Sequence, residues 1–252
     1  MERTTKMPFE IRNSVLVKYI PKEYETTIKT EDGFAVIKFY ETEIFTPEGI
    51  TEIAKDAFSE GKNLKKINVR EGVVKIGKRA FKNLQGLEEV VLPESVEEFG
   101  QGAFAKCKSL KALKVPSKVK ALPESFCHSC YSLECVVLPD YMEKIGPSAF
   151  SGCGIKEIKI PEGIETIEMF TFQFCGNIEK ISLPSTLKSI KLKAFLYSSL
   201  PEIKLPRSIE EVNSSALDVP VVHSKKGIVI HVPKEKRDCL GRRYEQNEII
   251  EY

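Results

Sequence analysis

The chain is predicted to be a repeat solenoid of the α/β type, dominated by β. It reads as a right-handed coil with a parallel sheet on its concave face, a β cap at the N-terminal end and a short helix at the C-terminal end. Two observations carry that expectation. From Ile50 onward the sequence repeats every 22 or 23 residues, with units opening at Ile50, Val73, Val96, Val119, Met142, Ile164, Leu187 and Ile209. So short a unit cannot bury an apolar face alone, and neighbours must stack. Each of the first seven units also contains an alternating apolar pair: Ile67/Val69, Val90/Leu92, Leu113/Val115, Val136/Leu138, Ile158/Ile160, Ile181/Leu183 and Ile203/Leu205. Period-two alternation of branched aliphatic residues marks a short strand with one buried face.

Residues 1–49 precede the regular units and contain strand-like runs, including Phe34 to Tyr40. They are expected to form a cap built from a hairpin and an added strand, since an open solenoid end must be closed by a polar-faced unit. Residues 50–208 form seven regular units. In these, one apolar column (Ile53, Ile76, Phe99, Leu122, Ile145, Ile167, Ile190) precedes a ring column (Phe58, Phe81, Phe104, Phe150, Phe172, Phe195). Alanine usually stands just before the ring, where a small residue permits a tight turn. The fourth unit departs, carrying Phe126-Cys127 at this place, and local repacking is expected there. Pro93, Pro116, Pro139, Pro161, Pro184, Pro206 and Pro233 follow the strands directly, where proline ends pairing and sets φ for a turn. Residues 209–252 hold a diverged eighth unit, lengthened through Val219 to Gly227, and a capping helix over Pro233 to Glu248.

The pattern Leu-x-x-apolar-x-apolar matches the strand portion of a leucine-rich repeat, with Ala-Phe and Cys filling the coil in place of the usual asparagine column. The run VEEFGQGAFAKCKSLKALKVPSK (Val96 to Lys118) resembles the BspA-like class of leucine-rich repeat, as do its neighbours. The opening FEIRNSVLVKYIP (Phe9 to Pro21) and the ending IVIHVPKEKRDCLGRRY (Ile228 to Tyr244) resemble the terminal segments of that class. The resemblance implies a bacterial or protist interaction protein, often displayed on cell surfaces and sometimes adhesive, with no catalytic residues and no cofactor.

Composition excludes several other classes. Lys+Arg 38 against Asp+Glu 36 leaves a net charge of +2, which provides no global field for nucleic acid or an anionic membrane. No apolar run reaches the length of about 18 residues that a membrane-spanning helix needs. Met1 to Pro8 is polar and lacks the apolar core of a signal peptide, so a cytoplasmic location is expected, or a surface or secreted one if a leader has been removed. Of seven cysteines, Cys107, Cys130, Cys153 and Cys175 share one repeat column. Buried free cysteine behaves as a small hydrophobe, and reduced thiols are expected in a chain without an export signal.

The motif matches are weak. Cys127-His-Ser-Cys130 is a CxxC, but both cysteines occupy inward columns, and zinc would need two further ligands for which only Cys107 and Cys153 are at hand. Gly100 to Ala105 fits a dinucleotide-binding pattern by letter but lacks the strand, helix and acidic residue that give the pattern meaning. Three histidines (His128, His223, His231) and no hydrolase motif leave no catalytic candidate. The basic cluster Lys234, Lys236, Arg237, Arg242 and Arg243 reads as the solvated face of the terminal helix.

The outward positions of the strands give the candidate site. In mid-array, Val91, Ala112, Cys135 and Val137 should form a small apolar patch bordered by Lys114, Lys159 and Lys180. An apolar centre with a polar rim is what a protein interface favours. The expected function is a non-catalytic scaffold or protein-protein interaction module binding a partner on the concave sheet. A cell-surface adhesin is the alternative, and a thiol redox protein using Cys127 and Cys130 a remote one. No cofactor or metal is expected.

Overall fold

The computed structural model describes residues 8–30, 33–218, 228–241, 244 and 247–252. It is a β-solenoid of about 9 turns with parallel sheets and very little helix.

Two antiparallel hairpins open the chain: β1 (Phe9–Arg12) with β2 (Val15–Tyr19), and β3 (Glu23–Thr30) with β4 (Gly33–Tyr40). The sequence reading allowed for one hairpin in this stretch. The second arises because the strand-like run at Phe34 to Tyr40 finds its partner locally, in Glu23 to Thr30.

The later turns up to Val212 each contribute two strands, and two final strands close the coil. In chain order these are β5 (Glu43–Phe45), β6 (Glu52–Ile53), β7 (Lys66–Asn68), β8 (Lys75–Ile76), β9 (Glu89–Val91) and β10 (Glu98–Phe99). Then come β11 (Ala112–Lys114), β12 (Ala121–Leu122), β13 (Cys135–Val137), β14 (Lys144–Ile145), β15 (Glu157–Lys159) and β16 (Thr166–Ile167). The series closes with β17 (Lys180–Ser182), β18 (Ser189–Ile190), β19 (Glu202–Lys204), β20 (Glu211–Val212), β21 (Val229–Val232) and β22 (Ile249–Glu251).

The three-residue strands form one wall, as the ladders β5-β7-β9, β11-β13, β15-β17 and β19-β21-β22. Their middle residue points inward and the outer two face solvent, as in Glu89–Val91 and Glu157–Lys159. The two-residue strands form a second wall. Here β2 joins in parallel, pairing Leu16 with Ile53, so the N-terminal hairpin is stitched directly onto the first coil.

Between the walls lies a column of stacked rings. Tyr19 begins it, 5.5 Å from Phe58, and Phe81 follows 4.9 Å further on. Phe104, Phe150, Phe172 and Phe195 continue the stack, all fully buried. In the fourth unit the ring comes from Phe126, one residue early, while Cys127 takes the usual ring place. Phe126 therefore stands edge-on to both neighbours, at 88° to Phe104 and 87° to Phe150. That is the repacking expected at this unit.

The cysteine column has a polar task as well as an apolar one. Each thiol donates to a carbonyl of the preceding coil: Cys107 to Phe81, Cys130 to Phe104 and Cys153 to Cys127 at 3.1 Å, and Cys175 to Phe150 at 3.2 Å. The carbonyls of Phe104, Cys127 and Phe150 also accept a backbone N–H, from Cys107, Cys130 and Cys153, so there the thiol occupies a second lone pair. The prolines after the strands open turns. The carbonyl of Pro116 accepts from Val119 N–H at 3.1 Å, and Pro139, Pro161, Pro184 and Pro206 do the same at the start of their units.

The short-strand wall is interrupted between β10 and β12 and again between β14 and β16, and the first break has a chemical cause. Gly77 and Gly100 each donate 2.7 Å bonds to the coil before, and Gly146 donates one of 2.9 Å, but the matching residue of the fourth unit is Pro123. Without an N–H it cannot bond the carbonyl of Phe99, and the ladder stops at β10 and resumes at β12. A cavity of about 700 Å³ lies along this interruption, lined among others by Phe99, Leu122, Pro123 and Lys120.

At the C-terminal end a 3-10 helix covers Lys234–Leu240, with Gly241 following at φ 62°. This is shorter than the helix expected over Pro233 to Glu248, because the chain returns as β22 to pair with β21. Buried Tyr244 ties the end down: its hydroxyl donates to Asn213 O at 2.6 Å and accepts from Leu217 N–H at 3.1 Å. The insertion expected through Val219 to Gly227, with His223, and the arginines Arg242 and Arg243 lie outside the described residues.

Candidate interaction surface

The solvent face of the three-residue strands carries two columns of side chains. In the first, Glu43, Lys66 and Glu89 stand in register, and Lys66 Nζ lies 3.6 Å from Glu43 and 3.3 Å from Glu89. Further along, Glu157 pairs with Lys180 at 4.0 Å. Exposed pairs of this kind add little stability, on the order of 0–1 kcal/mol each. Between these charged stretches the column turns apolar, with Ala112 directly opposite Cys135, both exposed.

The second column places Lys114 opposite Val137, which is 51% exposed. Val91 is 44% exposed but stands on β9, across a ladder break from Lys114 on β11. The structure thus brings Ala112, Cys135 and Val137 onto one ladder and leaves Val91 on the adjacent one. Lys114 leans out of the patch to Glu94 at 2.8 Å, and Lys159 approaches Asp140 at 3.9 Å. Glu94 is held down to about 2 by Lys114 and by the N–H and hydroxyl of Ser117, so this lysine is anchored to a firmly ionised carboxylate.

A second surface was not foreseen. The tight turns of the second to seventh units each have two positions in left-handed backbone conformation and that of the first unit has one, with φ between 54° and 70°. One column reads Asp56, Arg79, Gly102, Ser125, Ser148, Phe170, Lys193; the other reads Asn83, Lys106, Ser129, Gly152, Phe174, Tyr197. In the sixth and seventh units the second column is aromatic. Phe174 and Tyr197 are 55% and 49% exposed, stacked at 5.2 Å and 1°. Met169 and Leu192 are exposed on the same turns. The signal lay in the sequence as two aromatic residues one period apart, but their outward aim depends on the turn conformation, which strand periodicity does not reveal.

The family model for the BspA type leucine rich repeat region matches 6 copies over residues 34–140 and 120–219. The chain belongs to the BspA-type leucine-rich repeat family. No curated protein matches the sequence. Among solved structures, this BspA-type chain is similar to a leucine-rich repeat protein from Bacteroides ovatus, with 24% identity, a TM-score of 0.68 and 99% of this chain covered. That likeness is one of fold. The chain spans 65% of the length of that protein. A leucine-rich repeat protein of T. pallidum is similar over 64% of this chain and 80% of its own, at 27% identity and a TM-score of 0.55. One from Eubacterium ventriosum is 31% identical over 71% of this chain and 42% of its own, with a TM-score of 0.50.

Within this BspA-type coil the CxxC pair is core. Cys127 and Cys130 are fully buried, as are Cys107, Cys153 and Cys175. Burial pushes the thiols of Cys107, Cys127 and Cys153 well up, and that of Cys175 to about 12. Burial opposes ionisation of Cys130 too, but the neighbouring thiols of Cys127 and Cys153 would donate to its sulfur, so its direction is down. A low-lying thiol with no access to solvent lacks half of what a reactive cysteine needs. Among the described residues no group of three or more His, Cys, Asp or Glu side chains is placed to hold a metal ion. No helix among them is long and apolar enough to cross a membrane.

A thiol-titrating disulfide reagent added to the native protein is expected to modify exposed Cys135 at once and half-buried Cys239 more slowly. The remaining five thiols should react only after denaturation. Rapid modification of Cys127 or Cys130 in the native state would restore the redox reading.

Proposed function

We propose that this BspA-type coil is a non-catalytic protein-interaction module that takes its partner on the solvent face of the three-residue strands, the wall read from sequence as concave. The observation that carries this is the apolar stretch of Ala112, Cys135 and Val137 between the ion-paired groups Glu43–Lys66–Glu89 and Glu157–Lys180. Lys114, Lys159 and Lys180 form the polar rim, and Val91 extends the apolar surface across the ladder break. An apolar centre excludes water while the rim sets orientation and rejects partners of the wrong charge. A second reading places the contact on the turn edge at Phe174 and Tyr197, favoured by the stacked, exposed aromatic pair. Aromatic side chains are over-represented among residues that dominate binding energy.

One experiment separates the two. A photo-crosslinker attached to Cys135 should trap a partner protein, and the adduct should disappear in Val137→Glu but persist in Tyr197→Ala. The reverse pattern would move the contact to the turn edge. Trapping that neither substitution reduces would sink both. Whether the partner lies inside or outside the cell is a separate matter, tested by protease treatment of intact against lysed cells. Digestion on intact cells would favour the adhesin alternative, and protection until lysis the scaffold.

A further inference from the structure

The turn edge that is aromatic in the sixth and seventh units is cationic in the second to fourth. Here three successive coils enclose a cavity of about 250 Å³ whose lining includes Lys78, Arg79, Lys82, Lys106, Ser125 and His128. None of its lining residues is acidic. Arg79 is neutralised from outside the lining by Asp56, through two bonds of 2.8 and 2.6 Å. Lys78, Lys82 and Lys106 make no ion pair among the described residues, while Lys66, Lys75, Lys114, Lys159 and Lys180 on the strand faces do. Three unpaired cations therefore converge on one concavity in a chain whose net charge is only +2.

The cavity is built by backbone, not by chance rotamers. Arg79 and Lys106 occupy the two left-handed columns, and their N–H groups are held by Gln101 O at 3.0 Å and His128 O at 2.7 Å. Nδ1 of His128 is buried and has no hydrogen-bond partner. Burial holds the imidazole below its usual value against the opposing influence of Cys130, with the charge of Lys106 a smaller contribution in the same direction as burial, so His128 adds a polar group that resists protonation beside the lysines. A concave site of one charge sign raises the local concentration of counter-ions, and lysine ammonium groups serve as point charges for phosphate-like oxyanions. At about 250 Å³ the space is below the size usual for drug-like ligands and fits one compact charged group.

We propose that this cavity is an oxyanion site that takes a phosphate or sulfate group, carried either on a small solute or on a polysaccharide. The test is calorimetric titration of the whole chain at fixed ionic strength with inorganic phosphate and, separately, sulfate. Saturable binding is expected, weakened at least about tenfold in Lys78→Glu and in Lys106→Glu. Lys234→Glu, which changes net charge equally at the far end of the coil, should leave it unaltered. A dextran sulfate arm distinguishes the source. Lysine-dependent competition with the inorganic ion assigns the group to a polysaccharide, and absence of competition assigns it to a small solute. Failure of both inorganic ions to saturate overturns the proposal. So does equal weakening by Lys234→Glu, which would reduce the effect to general charge. Matching unfolding curves for the three variants would show that each result is read from folded protein.

Discussion

Phe104→Ala should destabilise the protein by about 3–5 kcal/mol, the usual range for removing a core aromatic. Phe104 is fully buried, and its ring touches more partners than most of the column: Phe81 at 5.1 Å, Phe126 at 5.5 Å and Phe99 at 6.0 Å. The backbone around it is pinned on both sides by the coils before and after, so the cavity left behind cannot collapse easily. Lys114→Ala should change stability by less than about 0.5 kcal/mol, since the side chain is largely exposed and its pairing with Glu94 is solvent-screened. Denaturant unfolding of both variants checks the pair. A lysine effect as large as that of the phenylalanine would mean that the inward and outward registers are exchanged.

Gly100→Ala should cost about 1–3 kcal/mol through overpacking. A Cβ at this position would lie 2.3 Å from Lys78 N and 2.6 Å from Gly77 C and Lys78 Cα, all backbone, with no flexible side chain to give way. Gly77 and Gly146 sit in the same column under the same pressure. Gly176→Ala is the control, because a Cβ there meets nothing within 4 Å. It should be neutral or slightly stabilising, as the unfolded chain loses freedom. Thermal unfolding that moved both variants equally would show that close approach of coils is not the reason for the glycine column.

These two residues also mark what could be read in advance. Phe104 was legible as core because each coil imposes the same demand on the same column, and six rings at one period leave one interpretation. The strand pairs and the prolines behind them were legible for the same reason. Gly100 attracted notice only as part of a false nucleotide motif, because the contact that requires it lies a full coil away. Pro123 gives no signal within the repeat pattern, although it takes the place of a bonded glycine and interrupts the short-strand wall. The terminal helix was overextended because Pro233 to Glu248 has a helix-like charge pattern, whereas β21 offers its tail a better partner in pairing. The patch at Ala112, Cys135 and Val137 followed from alternation alone. The aromatic and cationic turn edges did not, because side-chain direction there is set by left-handed residues that no hydrophobic period records.

Those two left-handed columns have a wider consequence. They give the coils of the second to seventh units a pair of positions whose backbone is already committed. Asp, Arg, Gly, Ser, Phe and Lys all occur in the first of them without disturbing the coils beneath. The turn edge is thus a surface on which the protein can write different chemistry along its length, rings in one stretch and ammonium groups in another. Meanwhile the stack that makes it a solenoid stays unedited.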